Sequence, residues 1–313
     1  EGTSMIVTVT LNPTLDKTLS VAQFQLGALH RARIVREDLG GKGINVSRSL
    51  RALGIPSRLT GLMAGGTGQV MQNGLREAGF AVHFLEVGGE TRRTITLHDE
   101  APGLYTKINE PGPRVSPQHV VALKDQIEHI ARPGEIWALC GSLPQGAPPD
   151  LYASLIRQVQ VRGARAFLDT SGPAFREGLA AQPFAIKPNT EETAEFLGRS
   201  LYDDGEHCTA ARHFEADGIQ MVALTRGAQG LVLDMDGEVL MATPPPVDAR
   251  SPVGAGDAAL AGLLWAVLDE CDAVETARRV VACGTATAMQ EGTGVGDRVL
   301  VEKLIDQVQI INC

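Results

Sequence analysis

Asp257 follows three small residues within residues 251–264, SPVGAGDAALAGLL. The apolar residues after it predict a helix that begins here, with the backbone N–H groups of Gly254, Ala255 and Gly256 unobstructed at its N-terminus. The helix dipole favours anions at this end, so these amides suit the charge that builds on a transferring phosphoryl group. Asp257 would be close enough to accept a proton from an attacking hydroxyl. The alternative is a helix cap, but a capping Asp precedes the first turn and needs no glycines before it.

The same stretch also satisfies the loose dinucleotide fingerprint G-x-G-x-x-A, which makes a nicotinamide-dependent enzyme a second hypothesis. That fingerprint needs a preceding apolar strand and an acidic residue about 20 residues later, at the end of the next strand. The preceding residues, PPPVDARSP, cannot form a central strand. Asp269, Glu270 and Asp272 come too early and lie at a predicted helix end. The context therefore excludes the dinucleotide hypothesis.

Lys42 lies in a glycine cluster, LGGKGINVSRSLRALG, that leads into a predicted helix. It is not a Walker A loop, because Gly43 occupies the position where Ser or Thr must follow the lysine. A tight turn alone would explain the glycines, since they tolerate positive φ. Because Gly41 and Gly43 clear space around Lys42, with Asn45 one turn later, we interpret the cluster as a close-approach site for a polar ligand.

Asn189 and Glu192 have two interpretations. The spacing N-x-x-E is that of a helix capping box, with Asn189 at the N-cap. Alternatively, both oxygens lie at the C-terminal mouth of a strand predicted at 184–187, where ligands of open α/β sheets bind, and hold Mg²⁺ through water. The residues alone leave both interpretations open.

Apolar β-branched runs alternate with helical patterns through most of the chain, which predicts an α/β fold with a mainly parallel sheet. We predict strands at 6–11, 136–140, 165–169 and 221–225, helices at 116–130, 148–162 and 209–217, and a hairpin that turns at Asp236–Gly237. Polar and apolar residues alternate over 17–38 and 91–109, which predicts exposed strands of a small lid. We expect a single domain over residues 5–313, with lid strands from about 13–38 and 90–110. Residues 1–4, ahead of Met5, are interpreted as an expression remnant.

Composition excludes several classes of protein. The chain has 313 residues, 28 basic and 37 acidic, with a net charge of −9. An acidic surface argues against nucleic-acid or anionic-membrane partners. The five cysteines are scattered and never spaced C-x-x-C, which argues against a disulfide framework or a zinc cluster and predicts mostly free buried thiols in the reducing cytoplasm.

Basic residues concentrate in the two lid segments of this otherwise acidic chain. They are Arg31, Arg33, Arg36, Arg92, Arg93 and Lys107. A solvated charged face would account for most of the six. A substrate that already carries a phosphate would need two or three of them to point inward.

Taken together, the motifs resemble one family across nearly the whole chain, the phosphofructokinase B or ribokinase-like sugar kinases. The stretches that carry the resemblance are NPTLD (12–16), GGKGINVSR (40–48), GETR (89–92), INEPGP (108–113), GSLPQG (141–146), KPNTEE (187–192) and SPVGAGDAALAG (251–262). Their order and spacing are more specific than any one of them. The resemblance implies an α/β/α sandwich with a small β-sheet lid that clasps a partner's lid in a homodimer.

The resemblance also implies a role for each motif residue. Asp257 would be the catalytic base, beside an anion hole formed by Gly254, Ala255 and Gly256. The expected contacts to the sugar are Asp16, Gly41, Lys42, Asn45 and Ser142, and those to its phosphate are Arg92, Arg31 and Lys107. The expected nucleotide region comprises Lys187, Asn189, Glu192, Thr225 and Gly227, with Mg²⁺ held through water by Asn189 and Glu192.

By the same resemblance, the expected reaction is ATP-dependent phosphorylation of a ketohexose monophosphate. The motifs NPTLD, INEPGP and GGKG are closer to those of kinases of phosphorylated ketohexoses than to those of ribose or adenosine kinases. Fructose 1-phosphate is the first expected substrate, with tagatose 6-phosphate or fructose 6-phosphate as alternatives. A kinase-like protein that only senses sugar phosphate is the alternative of a different class. TRG replaces the family's commoner SLG or TLG, so Arg226 is expected to alter the nucleotide edge. Gly294 and Gly296 lie in a tail region where some relatives bind a monovalent cation.

Overall fold

A ten-stranded sheet forms the centre of the protein. The computed structural model describes residues 5–100 and 104–313, so residues 1–4, interpreted above as a remnant, lie outside the described residues. The strands of this sheet are β1 (Ile6–Thr10), β4 (Ser57–Ala64), β5 (Ala81–Val87), β8 (Ile136–Cys140), β9 (Arg165–Asp169), β10 (Ala185–Ile186), β11 (Met221–Thr225), β12 (Leu231–Met235), β13 (Glu238–Thr243) and β14 (Gln309–Asn312). Their spatial order is β14-β13-β12-β11-β10-β9-β8-β1-β4-β5.

The neighbouring strands β11-β10-β9-β8-β1-β4-β5 run parallel to one another. Beyond β11, the strands β12, β13 and β14 extend the sheet with antiparallel pairing. Every residue of β1 and β8 is buried, as expected for parallel strands covered on both faces. The predicted hairpin is present, since Asp236 (φ 54°) and Gly237 (φ 79°) turn β12 into β13. The predicted α/β fold with a large, mainly parallel sheet and a small separate sheet is confirmed.

Helices cover both faces of the sheet. They are α1 (Lys42–Ala52), α2 (Gly65–Glu77), α3 (Pro117–Ile130), α4 (Leu151–Val161), α5 (Gly172–Leu179), α6 (Thr190–Leu197), α7 (Asp204–Ala216), α8 (Ala255–Leu268), α9 (Ala273–Ala288) and α10 (Arg298–Ile305). Side chains of β1 alternate between two cores: Val7 and Val9 pack into one, and Ile6 into the other. The mainly apolar α8 is buried from Asp257 to Val267, as expected for a helix without a polar face.

A four-stranded lid sheet lies apart from the large sheet. It contains β2 (Thr14–Val21), β3 (Arg33–Gly40), β6 (Arg92–Asp99) and β7 (Leu104–Asn109), in the order β3-β2-β6-β7. β2 is parallel to β6 and antiparallel to β3. The register places Asp38 and Thr94 directly beside Asp16, so these three side chains share one face of the lid.

Two expectations differ from the structure at the far edge of the large sheet. The helix expected at 209–217 begins at Asp204, because its polar first turn shows no apolar periodicity and is instead capped by Asp203, whose side chain accepts from the Glu206 N–H. The expectation of mostly free thiols is wrong for Cys208 and Cys313, which form a disulfide across a sequence separation of 105. Spacing along the chain did not reveal this pair, because only the folded sheet brings α7 and β14 together.

The remaining cysteines, Cys140, Cys271 and Cys283, are free, and Cys140 and Cys283 are buried, as expected. Among the described residues, no helix combines the length and the apolar character that a membrane span requires.

Candidate active site

The candidate site lies where the parallel strands β1, β8, β9 and β10 end and where α1 and α8 begin. The carboxyl ends of parallel strands meet at one edge of a sheet, which brings residues far apart in sequence together. β9 ends at Asp169, β10 is followed by Lys187, and α1 begins at Lys42.

Two lysines share the Asp169 carboxylate at this edge. Lys42 Nζ lies 2.8 Å from Asp169 Oδ1, and Lys187 Nζ lies 3.4 Å from Asp169 Oδ2. The Asp169 side chain is fully buried. Burial acts to raise the pKa of Asp169, but the attraction of Lys187 and Lys42 outweighs it and holds this pKa below its usual value. Burial likewise disfavours the charge on Lys42, but Asp169 and Glu192 keep the pKa of Lys42 above its usual value.

Asp257 is the third residue of α8 and does not cap it, because no side chain makes a cap hydrogen bond at this helix N-terminus. Its Oδ2 instead accepts a 2.8 Å hydrogen bond from Asn45 Nδ2 of α1. The residue is only 8 % exposed, and burial, followed by repulsion from Asp169, raises the pKa of Asp257 to about 6. A carboxylate with this pKa is ionised at neutral pH and still basic enough to take a proton. The capping alternative is therefore excluded.

The three amides before Asp257 are not equivalent. Gly254 is the N-cap of α8 in the left-handed conformation, φ 80° and ψ −6°, which glycine adopts without strain. The Ala255 N–H donates to Pro252 O at 3.2 Å. Within the described residues, the N–H groups of Gly254 and Gly256 have no protein acceptor. The expectation of three unobstructed donors is thus corrected to two, because the turn that precedes α8 uses the third.

The glycines around Lys42 allow close packing of α1 against β1. A Cβ on Gly41 (φ 122°) would lie 2.8 Å from Thr10 Cγ2, and one on Gly43 would lie 2.5 Å from Thr10 Oγ1. The start of α1 therefore packs directly on the end of β1, which is what sets the position of Lys42. The space that these glycines clear is thus filled by Thr10, while the polar-ligand site around Lys42 and Asn45 stays a prediction.

Asn189 and Glu192 form a complete capping box at the start of α6. The Glu192 N–H donates to Asn189 Oδ1 at 2.8 Å, and the Asn189 N–H donates to Glu192 Oε2 at 2.9 Å. The other oxygen, Glu192 Oε1, lies 3.9 Å from Lys42 Nζ and so faces the lysine pair. The helix cap is real, and it leaves one carboxylate oxygen directed at the site.

These oxygens fit a hard divalent cation. Carboxylate and amide oxygens are the donors that Mg²⁺ prefers, and Glu192 Oε1 faces the site without taking part in the helix cap. No group of three His, Cys, Asp or Glu side chains within 5–100 and 104–313 could hold a metal by itself. A cation here would therefore complete its shell with water and the oxygens of a ligand.

The turn after β11 lies beside this cap. Thr225 N–H and Oγ1 both donate to Pro188 O, at 2.9 and 3.3 Å, which joins the turn to the start of α6. Gly227 has φ 56° and open space around it. The Arg226 side chain is only 7 % exposed and pairs with Asp204 of α7. The Arg226 guanidinium is thus buried against α7, and its effect on the nucleotide edge stays a prediction.

The lid places a second group of predicted residues over the site. Asp16 lies against Gly40, where a Cβ would collide with its carboxylate. Burial raises the pKa of Asp16, whereas hydrogen bonds from Thr14 and the charge of Lys107 act to lower it. Lys107 is exposed on β7, but its charge lies close enough to Asp16 to act on the pKa of that carboxyl. Lys107 therefore shares this polar face of the lid.

Arg92 approaches Ser142 through Asn12. The Arg92 Nε–H donates to Asn12 O at 3.3 Å, and Asn12 Nδ2 donates to Ser142 Oγ at 3.2 Å. Burial lowers the pKa of Arg92, and Asp16 counteracts this. Arg31, by contrast, is exposed in the loop between β2 and β3 and is not brought into this group.

Sequence analysis did not identify Asp169 or Asn12 as site residues. The signal for Asp169 was available, because an acidic residue that ends a buried parallel strand lies at the ligand-binding edge of the sheet. The signal for Asn12 was weaker. Its Oδ1 is buried and has no hydrogen-bond partner among the described residues, and only the structure reveals this.

Comparison with known proteins gives the family. Residues 9–298 match the profile described as pfkB family carbohydrate kinase. The chain is 37 % identical over 290 residues to the 1-phosphofructokinase of Xanthomonas campestris pv. campestris, covering 91 % of each protein. It is 33 % identical to that of Bacillus subtilis, covering 98 % of this chain and 99 % of the relative. The chain therefore belongs to the pfkB family of carbohydrate kinases.

Solved structures agree with this assignment. Escherichia coli phosphofructokinase-2 in complex with potassium has a TM-score of 0.92 at 27 % identity, and the same protein with fructose-6-phosphate has 0.89 at 26 %. Each of these matches covers 97 % of this chain and 99 % of the Escherichia coli chain. The protein is thus an enzyme that phosphorylates sugar phosphates, and this activity implies ATP and a divalent metal.

Proposed function

We propose that the protein transfers the terminal phosphoryl group of ATP to a ketohexose monophosphate, with fructose 1-phosphate as the preferred substrate and fructose 1,6-bisphosphate as the product. The names of the two 1-phosphofructokinase relatives support this choice of sugar. Tagatose 6-phosphate and fructose 6-phosphate are the alternative substrates within the same reaction class.

The observation that carries the proposal is the position of Asp257. A buried carboxylate with a pKa of about 6, oriented by Asn45, stands at the start of a helix with two open amides. Asp257 takes the proton of the attacking sugar hydroxyl, while the N–H groups of Gly254 and Gly256 meet the charge that develops on the transferred group.

The lysine pair supplies positive charge along the same path. Lys42 and Lys187, both anchored by Asp169, present their ammonium groups to the phosphate oxygens of the nucleotide. When bound, Mg²⁺ neutralises part of the nucleotide's charge, and Asn189 and Glu192 would hold it through water. Thr225, which is hydrogen-bonded to Pro188 just before α6, and Gly227 line the nucleotide side.

The lid supplies contacts to the sugar and its existing phosphate. Asp16 accepts hydrogen bonds from sugar hydroxyls, and Ser142 and the start of α1 at Gly41 and Lys42 border the same space. Arg92 and Lys107 bind the phosphate that the substrate already carries. Exposed Arg31 reaches this phosphate only if the β2–β3 loop moves toward the lid face.

The test of this function is a substrate panel. ADP release with Mg-ATP is measured, in potassium buffer, against fructose 1-phosphate, fructose 6-phosphate, tagatose 6-phosphate, fructose and ribose. We expect the highest kcat/KM with fructose 1-phosphate and the lowest with the two unphosphorylated sugars, because only phosphosugars engage Arg92 and Lys107. Fastest turnover of fructose or ribose would refute the role given to the lid cations.

We further propose that two lids pair in a homodimer. Apolar side chains on the lid are open to solvent, including Leu26 (93 % exposed) and Leu29 (88 % exposed) in the β2–β3 loop. Others are Ile34, Val35, Leu104, Tyr105 and Ile108. Such a set on one small sheet is typical of an interface between copies of a chain.

Light scattering at micromolar concentration tests the dimer. We expect the mass of two chains for the protein and of one chain for a Leu26→Ser, Leu29→Ser variant. Val161→Ser, an equally exposed apolar residue on α4 (87 %), is the control and should leave the mass unchanged. A wild-type mass of one chain would contradict the proposal.

A further inference from the structure

The Cys208–Cys313 disulfide ties two elements at the edge of the large sheet together. Cys208 lies in α7 and is 4 % exposed, whereas Cys313 directly follows β14 and is exposed. The Cys313 N–H donates to Val239 O at 2.9 Å, and Arg212 Nη2 of α7 donates to Cys313 O at 3.4 Å. The bond therefore fixes α7 to the strand pair β13–β14.

The residue next to Cys208 contacts the start of α6. His207 is 4 % exposed; its Nδ1 donates to Asp203 O at 2.6 Å, because a carbonyl can only accept. The other ring nitrogen, Nε2, lies at hydrogen-bond distance from the Thr190 hydroxyl, 3.3 Å from its Oγ1. Thr190 immediately follows Asn189, which belongs to the proposed nucleotide and metal region.

The first turn of α7 also holds the turn after β11. Asp204 pairs with the buried Arg226 guanidinium, and Arg226 stands between Thr225 and Gly227. Asp204 lies about one turn before Cys208 on the same helix. Both segments proposed to border the nucleotide are thus supported by the first two turns of the helix that the disulfide secures.

We propose that the Cys208–Cys313 disulfide is a redox-controlled link that sets the affinity of the nucleotide site through α7. This inference depends on the proposed function in one respect, the identity of the nucleotide that binds. Reduction of the disulfide should change the affinity for the sugar phosphate less. The sugar side of the site is built from the lid strands and α1, toward the opposite edge of the large sheet.

The reactant is a dithiol. Its first thiolate attacks the exposed Cys313 sulfur, and Cys208 leaves as a thiolate that takes up a proton. The second thiol of the reductant then attacks the mixed disulfide, releases the Cys313 thiol and closes the reductant's own disulfide. Two electrons and two protons pass to the protein. β14 is afterwards held to β13 by hydrogen bonds alone, and α7 loses its covalent tie, which lowers the cost of local opening.

The redox state is measured first by thiol titration in denaturant. We expect three thiols in protein purified without reductant and five after dithiol treatment, since the chain has five cysteines. Reduced protein should then show a KM for ATP and a dissociation constant for ADP raised at least about fivefold, with the KM for sugar phosphate changed less than about twofold. Hydrogen exchange should quicken in α7, at 190–197 and at 225–230.

Two variants complete the test. Cys313→Ser should reproduce the reduced state and no longer respond to dithiol. Because Cys313 is exposed, serine fits at this position without loss of core packing. Cys271→Ser, which replaces a partly exposed free cysteine, is the matched control and should respond as the wild type does.

Two results would overturn the proposal: five thiols without reductant, or reduction that leaves both ADP binding and hydrogen exchange at 190–197 and 225–230 unchanged. Failure of the proposed function would look different. The protein would turn over no ketohexose monophosphate, while hydrogen exchange would still report whether the bond couples α7 to the two segments.

Discussion

Asp257→Asn should lower kcat by about 10²- to 10⁴-fold while the protein still binds sugar phosphate and nucleotide. The amide has nearly the same shape as the carboxylate and can still accept the hydrogen bond from Asn45 Nδ2. It cannot take a proton from the attacking hydroxyl. Steady-state kinetics measure the loss of turnover, and calorimetry measures binding of each ligand to the same preparation.

Asp234→Asn is the matched control for this variant. Asp234 on β12 is also a buried aspartate whose pKa is raised by burial, but it lies outside the site. We expect its kcat to equal that of the wild type. If Asp257→Asn kept more than about a tenth of wild-type turnover, Asp257 would not be the base, since removal of a general base costs at least about 10²-fold.

The sequence predicted those parts of the site that are contiguous along the chain. Gly254, Gly256 and Asp257 form one short motif, so their types and order reveal a helix start with an acid beside it. The capping box of Asn189 and Glu192 was likewise visible, because its hydrogen bonds join residues three apart. Apolar runs predicted the buried strands for the same reason, since burial on both faces leaves a local pattern.

Features that depend on contacts between distant segments were not predictable. The Asp169–Lys42 pair joins residues 127 apart, and Asp257–Asn45 joins residues 212 apart. The sequence shows that Gly41 and Gly43 lack side chains, but not that the space is taken by Thr10. The use of the Ala255 amide was missed for a different, local reason: its acceptor, Pro252 O, depends on the path of the turn before α8.

Asp169→Asn should reduce kcat by about 10²-fold, comparable to the loss of one transition-state donor, because both lysines lose their shared anchor. It should also move the acid limb of the pH profile. Asp169 is a negative charge that raises the pKa of Asp257, so its removal lowers that pKa below about 6. Activity, which is lost as the pH falls and Asp257 is protonated, should then persist to lower pH than in the wild type.

Lys42→Met is the informative comparison, because it should shift the limb in the opposite direction. Lys42 is a positive charge that lowers the pKa of Asp257, so its loss raises this pKa and activity should fall at higher pH than in the wild type. The other groups that act on Asp257, Asn45 and Lys187, are unchanged in both variants. Opposite shifts cannot come from a general loss of structure, because that would shift the acid limb of both variants in the same direction.

The measurement is kcat/KM against pH at constant ionic strength, since this ratio reports ionisation in the free enzyme and substrate. The phosphate of the sugar titrates near the same pH, but it contributes equally to every enzyme, so the differences isolate Asp257. Lys17→Met, which removes a lid lysine paired with Glu37, should leave the limb in place. Limbs that coincide for Asp169→Asn, Lys42→Met and the wild type would mean that Asp257 does not set the pH dependence, and the charge network would lose its proposed role.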